Sequence, residues 1–150
     1  MRFEEQVNQI QDLRGSFHPG LGAFGSNREK IHPQDPRACC GSVNLDDNLR
    51  RRFPNDPRWD YCICYTKRNY FVEIHPAYTS EVDLVLRKLE WLKQWLRTDG
   101  KPLWKGIAPE KPFHWIFTKR CAVKPGDRYA RKLAKAGLWP LKDRLRLPIK

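Results

Sequence analysis

Asp60-Tyr61-Cys62-Ile63-Cys64-Tyr65-Thr66-Lys67-Arg68-Asn69-Tyr70-Phe71-Val72-Glu73-Ile74-His75 is the stretch on which the fold turns. Residues 60–65 and 70–75 are both rich in aromatic and β-branched side chains, which suit a pleated, half-buried surface. The polar quartet Thr66-Lys67-Arg68-Asn69 between them has turn chemistry, so the stretch predicts a β-hairpin. Pro76 ends the second strand. Ser80, with Asp83 three residues on, resembles a capping box and predicts a helix start. Val82, Val85, Leu86, Leu89, Leu92 and Leu96 then recur at helical spacing to about Thr98, and Gly100 closes the helix.

Outward from this centre the pattern is weaker. Phe3, Val7, Ile10 and Leu13 predict a short amphipathic helix over 2–14, stopped by Gly15. Residues 16–42, rich in Gly, Pro, Ser and His, predict a long irregular connection. A helix is expected over 44–53, with Leu45, Leu49 and Phe53 inward. Phe113 to Thr118 predicts a further strand, Asp127 a helix cap for a segment ending at Gly137, and Arg144 to Leu147 an edge strand. The sum is one α/β (α+β) domain over 1–150, a small mixed sheet with a central hairpin and a long helix packed on it.

The 150 residues carry 29 Lys and Arg against 17 Asp and Glu, a net charge of +12. Residues 101–150 hold 14 basic against 3 acidic side chains, so nearly all the excess lies in this segment. A concentrated positive charge points to a polyanion, most often nucleic acid. Arg128, Arg131, Lys132 and Lys135 line one side of the expected helix, with Tyr129 and Trp139 nearby, a mixture suited to phosphates and stacked bases. No apolar run is long enough to span a membrane. The charged start Met1-Arg2-Phe3-Glu4-Glu5 lacks a signal-peptide core, and a cytoplasmic location is expected.

Side chains alternate across a strand, so Asp60, Cys62 and Cys64 share one face, as do Phe71, Glu73 and His75. With Tyr65 opposite Tyr70, Asp60 faces His75 and Cys62 faces Glu73. Asp60, Glu73 and His75 would then converge at one end of the hairpin, and a slip of one residue would scatter them. Converging carboxylates repel, and a divalent cation removes the conflict. Oxygen ligands suit Mg²⁺ or Mn²⁺, which commonly use one or two carboxylates plus substrate phosphates. Such an ion beside a basic surface fits the cutting of nucleic acid.

This arrangement resembles the PD-(D/E)XK nuclease superfamily over about residues 44–120, with Asp60 at the family's Asp and Glu73-Ile74-His75 at its Glu-X-Lys. The following helix and strand match in order. The resemblance implies a restriction-endonuclease-like core and a metal-dependent nuclease. Asp60 and Glu73 would be ligands, joined by an acidic residue of the preceding helix: Asp46 or Asp47 ahead of Glu4 or Glu5. Two positions depart from the pattern. Trp59 stands where the family has Pro, and His75 where it has Lys. His75 would bind metal or act as a base, and Lys88, on one helical face with Leu84, Trp91 and Trp95, would supply the cation.

Competing readings rest on other residues. A non-catalytic nucleic-acid-binding protein explains the basic segment equally well. A protein-interaction module would use Trp91, Trp95 and Trp104, and a homodimer contact would cover the first two. The five cysteines show neither the even count of a disulfide framework nor, in Cys39-Cys40 and Cys62-X-Cys64, the usual zinc spacing.

Overall fold

The computed structural model describes residues 1–149. Its helices and strands are α1 (Phe3–Asn8), β1 (Ile31–Pro33), β2 (Cys39–Asn44), α2 (Leu45–Leu49), β3 (Tyr61–Tyr65), β4 (Arg68–Ala77), α3 (Val82–Arg97), α4 (Lys101–Lys105), β5 (Phe113–Cys121), α5 (Arg128–Ala136) and β6 (Leu145–Leu147). The protein is a mixed α/β fold. Four strands form the main sheet in the order β2-β3-β4-β5, and β1 and β6 form a separate parallel pair. The strands of β2-β3-β4 run antiparallel, whereas β4 and β5 are parallel. A parallel pair needs a crossover, and α3 and α4 provide it.

Alternation along the strands sends side chains into two apolar layers. Cys62, Cys64, Phe71 and Trp115 pack with residues of all five helices. Ile63, Tyr65, Val72 and Ile116 face the other way, onto Phe24, Ile31, Leu145 and Leu147. The helix α3 buries Val82, Val85, Leu89, Leu92, Trp95 and Leu96, and full burial of such side chains stabilises by about 1.5–3 kcal/mol each. Trp95 stacks on Trp91, with ring centroids 6.2 Å apart, and the indole N–H of Trp91 donates to Asp56 at 2.8 Å.

Several expectations are corrected. The hairpin turn has two residues, not four: Tyr65 pairs with Arg68, and Thr66 and Lys67 both take positive φ, 49° and 62°. That is the geometry of a type I′ turn, whose twist matches the strands. Cys62 therefore faces Phe71, not Glu73. The segment 16–42 is not wholly irregular; it holds 3₁₀ turns, β1 and the start of β2. Ser80 makes no capping bond, and a 3₁₀ turn over Thr79–Glu81 leads into α3 instead. The helix expected over 2–14 is α1 followed by a 3₁₀ turn, although Phe3, Val7, Ile10 and Leu13 are all buried as the spacing requires.

The cysteines also differ from expectation. Cys40 and Cys64 form a disulfide across β2 and β3, at the point where the β2 register shifts between Cys39 and Gly41. Cys39, Cys62 and Cys121 are free thiols. Among the described residues no helix is long and apolar enough to cross a membrane.

Candidate catalytic centre

Asp60 immediately precedes β3, and Glu73 lies within β4 directly across the continued ladder. Each carboxylate binds the other strand's backbone: the Asp60 amide donates to Glu73 Oε1 at 3.2 Å, and the Ile74 amide donates to Asp60 Oδ2 at 3.0 Å. These bonds use one oxygen of each carboxylate. The remaining oxygens, Asp60 Oδ1 and Glu73 Oε2, converge on the ammonium of Lys88, which bonds directly to Glu73 and lies 3.6 Å from Asp60. The helix α3 delivers Lys88 from the layer above the sheet, one helical turn before the buried Leu92. Three elements thus bring two acids and one base to a single point.

His75, two residues beyond Glu73 on the same strand face, places Nδ1 3.6 Å from Glu73 Oε2. Its Nε2 lies 3.6 Å from Glu81 Oε1, too far for a hydrogen bond. The expected convergence of Asp60, Glu73 and His75 is therefore present, but with Asp60 opposite Glu73. The real register differs from the expected one by two residues, which keeps every side chain on its face.

Burial governs the electrostatics. Glu73 is 0% exposed, and loss of water, reinforced by the Asp60 charge, pushes its carboxyl well above the usual range against the opposing pull of Lys88. Asp60 is also raised by burial, with Lys88 and the Ile74 amide opposing. Burial works against the charge on Lys88, but Glu73 and Asp60 outweigh it and hold the ammonium above its ordinary pKa. The three groups titrate as one unit, with Lys88 charged and a carboxyl proton retained to higher pH than in water. Burial and the Lys88 charge lower His75, so its imidazole is neutral at pH 7.

Asp46 reaches the neighbourhood through its backbone, since the amides of Leu45 and Asp46 donate to the Asp60 carbonyl at 2.8 and 3.3 Å. Its carboxylate is engaged elsewhere, accepting from Arg58 Nε and from Arg50, each at 3.0 Å. Asn44 caps α2 by accepting from the Asp47 amide, and the Asp47 carboxylate accepts from Asn44 Nδ2 and from Arg50. Glu4 and Glu5 line a separate cavity beside the disulfide. Among the described residues no three His, Cys, Asp or Glu side chains stand close enough together to hold a metal ion. The position where the two free oxygens meet is taken by Lys88.

Two residues beside the centre escaped the sequence reading. Glu81 sits in the 3₁₀ turn ahead of α3, where it reads only as part of a helix start. Arg58 resembles turn filler beside Pro57, yet it donates to Asp46 and to the Phe53 carbonyl, tying the loop before β3 to α2. Trp59 is fully buried in the helical layer and anchors the chain just before Asp60.

The basic helix α5 packs against α3 through Ala130 and Leu133, leaving Arg128, Arg131, Lys132 and Lys135 exposed. Asp127 caps it by accepting from the Ala130 amide at 2.7 Å, and Gly137 closes it in the left-handed region. Arg128 lies over the Tyr129 ring at 4.8 Å. Lys132 pairs with Asp83, in the first turn of α3. These cations flank the helix that carries Lys88. Comparison with family models, with curated proteins and with solved structures finds no match to this chain.

Proposed function

We propose that the protein acts on nucleic acid as a phosphodiester-cleaving enzyme of the PD-(D/E)XK kind, with Asp60, Glu73 and Lys88 as its centre. The observation that carries this reading is the convergence of Asp60 Oδ1 and Glu73 Oε2 on one cation position after their partner oxygens are fixed by backbone amides. That donor set suits Mg²⁺ or Mn²⁺, with Asp60 and Glu73 as the ligands and substrate phosphate completing the shell. A bound ion would stabilise charge on the phosphodiester. Lys88 supplies the third motif charge from α3, and its ammonium would have to withdraw from between the two oxygens when the ion binds. His75, neutral and adjacent, is placed to accept a proton. The exposed cations of α5 provide phosphate contacts without reading bases.

The test is incubation of plasmid DNA and of RNA with the pure protein in Mg²⁺, Mn²⁺ or EDTA. Cleavage that disappears in EDTA and in Glu73→Gln is expected. A second reading, nucleic-acid binding without catalysis, draws on the same cluster: Lys88 already bonds to Glu73 and ion-pairs with Asp60, and Glu73 is 0% exposed. Salt-sensitive binding with no cleavage under any metal condition would favour that second reading.

A further inference from the structure

Across the sheet from Asp60 and Glu73 lies a second group of titratable residues. In β5, Trp115 pairs with Glu73, whereas its neighbour His114 pairs with Val72 and so faces the opposite layer. His114 Nε2 lies 2.6 Å from the carbonyl of Lys111, so that nitrogen carries the hydrogen. Nδ1 is then the acceptor, and Lys142 Nζ donates to it at 2.9 Å. His114 is only 3% exposed, and burial together with Lys142 lowers its pKa to about 3, leaving it a neutral acceptor.

Lys142 keeps two further N–H groups, and no described carboxylate pairs with it; Asp143, beside Lys142 in sequence, and Glu110, beside Lys111, form no ion pair. Burial, and after it the charge of Lys111, lowers the pKa of Lys142. Lys111 is held there in the left-handed region, at φ 46°, a conformation unfavourable for a residue with a Cβ. Both lysines line a partly open cavity of about 110 Å³ together with Phe113, Trp139 and Pro140. That space admits roughly three waters and is far below the size of a nucleoside or cofactor pocket. The exposed Lys111 and the half-buried Lys142 line this one cavity without an ion-paired acid, and a small anion there would offset their repulsion.

We propose that Lys142 and Lys111, with His114 orienting Lys142, form a binding site for a small oxyanion of the phosphate class. Lysine binds phosphate as a point charge, and two ammonium groups match a dianion. Neighbouring cavities carry Arg68, Tyr70 and Glu110 beside Lys111, and Arg144, Arg146 and Asp143 beside Lys142. The phosphate therefore has two sources, free inorganic phosphate or the terminal phosphate of a nucleic-acid strand. The site stands on the sheet face opposite Asp60 and Glu73 and is independent of the cleavage reading.

The test is calorimetric titration of the full chain, in EDTA, with inorganic phosphate and with a short oligonucleotide carrying either a 5′-phosphate or a 5′-hydroxyl. Saturable one-to-one binding of phosphate is expected. Lys142→Met should weaken it at least fivefold. Lys111→Gly, which keeps the carbonyl held by His114 and suits the positive φ, should do the same without threatening the fold. Lys105→Met, an exposed position on α4, should leave it unchanged. A 5′-phosphorylated strand bound more tightly than both free phosphate and its hydroxyl counterpart assigns the site to strand ends; equal affinity for free phosphate and the phosphorylated strand assigns it to the free ion. Absence of saturable binding, or equal affinity in wild type, Lys142→Met and Lys111→Gly, overturns the site.

Discussion

Asp60 and Glu73 each fix the other's strand: the Asp60 amide donates to Glu73 Oε1 at 3.2 Å, and Asp60 Oδ2 accepts from the amide of Ile74 at 3.0 Å. This reciprocity leaves one oxygen per carboxylate free and aims both at Lys88. The pair is thus part of the sheet and part of the centre at once. Its chemistry and its contribution to stability should be separable by substitution.

Lys88→Met leaves the buried Glu73 and the half-buried Asp60 without their cation. Breaking a buried pair from one side destabilises by about 3–5 kcal/mol, and that loss is expected at pH 7. The sign follows from the raised pKa values of Asp60 and Glu73. Removing Lys88 raises both further, so the variant gains protons on folding and its penalty shrinks as pH falls toward the carboxylate range. Urea unfolding at pH 7 and near pH 5 checks this; an equal penalty at both would contradict it.

His114 predicts an acid limb in the stability profile. Its folded pKa, lowered to about 3 by burial and Lys142, lies below the ordinary histidine value. Between about pH 6.5 and pH 3 the unfolded chain therefore binds a proton that the folded chain refuses. Its contribution to stability is present above pH 6.5 and is lost as pH falls, with a slope approaching about 1.4 kcal/mol per pH unit. His114→Gln cannot titrate and should flatten that limb by one proton, read from unfolding free energies measured along the pH series.

The hairpin turn offers a gain. Lys67 sits at φ 62° in the second central position of the two-residue turn. Left-handed backbone costs an L-residue about 1–2 kcal/mol, part of which glycine returns through its greater freedom in the unfolded chain. Lys67→Gly should raise stability by about 0.5–1 kcal/mol, measured as a higher denaturant midpoint with unchanged slope.

Gly100 is set by packing, not by a positive φ. A Cβ there would lie 2.6 Å from the Trp95 ring, which itself stacks on Trp91. Gly100→Ala should cost about 1–3 kcal/mol by overpacking and shift the tryptophan fluorescence, because the Trp91–Trp95 pair must move.

How far the sequence discloses this molecule depends on the range of the interactions involved. Strand parity is local, and it correctly places Asp60, Glu73 and His75 on one face. The helical period of α3 likewise puts Lys88 within reach of Glu73. Register is not local. Thr66-Lys67 lacks the Asn-Gly or Asp-Gly signature of a two-residue turn, so the quartet 66–69 reads as a longer loop and Asp60 is set against His75. β2 is hidden because Cys39-Cys40-Gly41-Ser42 has little strand propensity; pairing with β3 and the bulge at the Cys40–Cys64 disulfide define it. Asp46 is brought beside Asp60 as its helix suggests, yet Arg58 and Arg50 claim its carboxylate, a long-range outcome that spacing does not encode. The exposed face of α5 is legible from its 3.6-residue period; what it binds is not.

The most direct test of the proposed centre is the rate of phosphodiester cleavage by wild type, Asp60→Asn and Glu73→Gln, measured on one nucleic-acid substrate in Mn²⁺ beside the affinity of each protein for that substrate in EDTA. Metal-dependent cleavage by wild type is expected, with a loss of 100-fold or more in each variant, about 2.7 kcal/mol or more of transition-state stabilisation, and affinity changed less than threefold. Cleavage that survives both substitutions, or its complete absence from folded wild-type protein that binds the substrate, would contradict it.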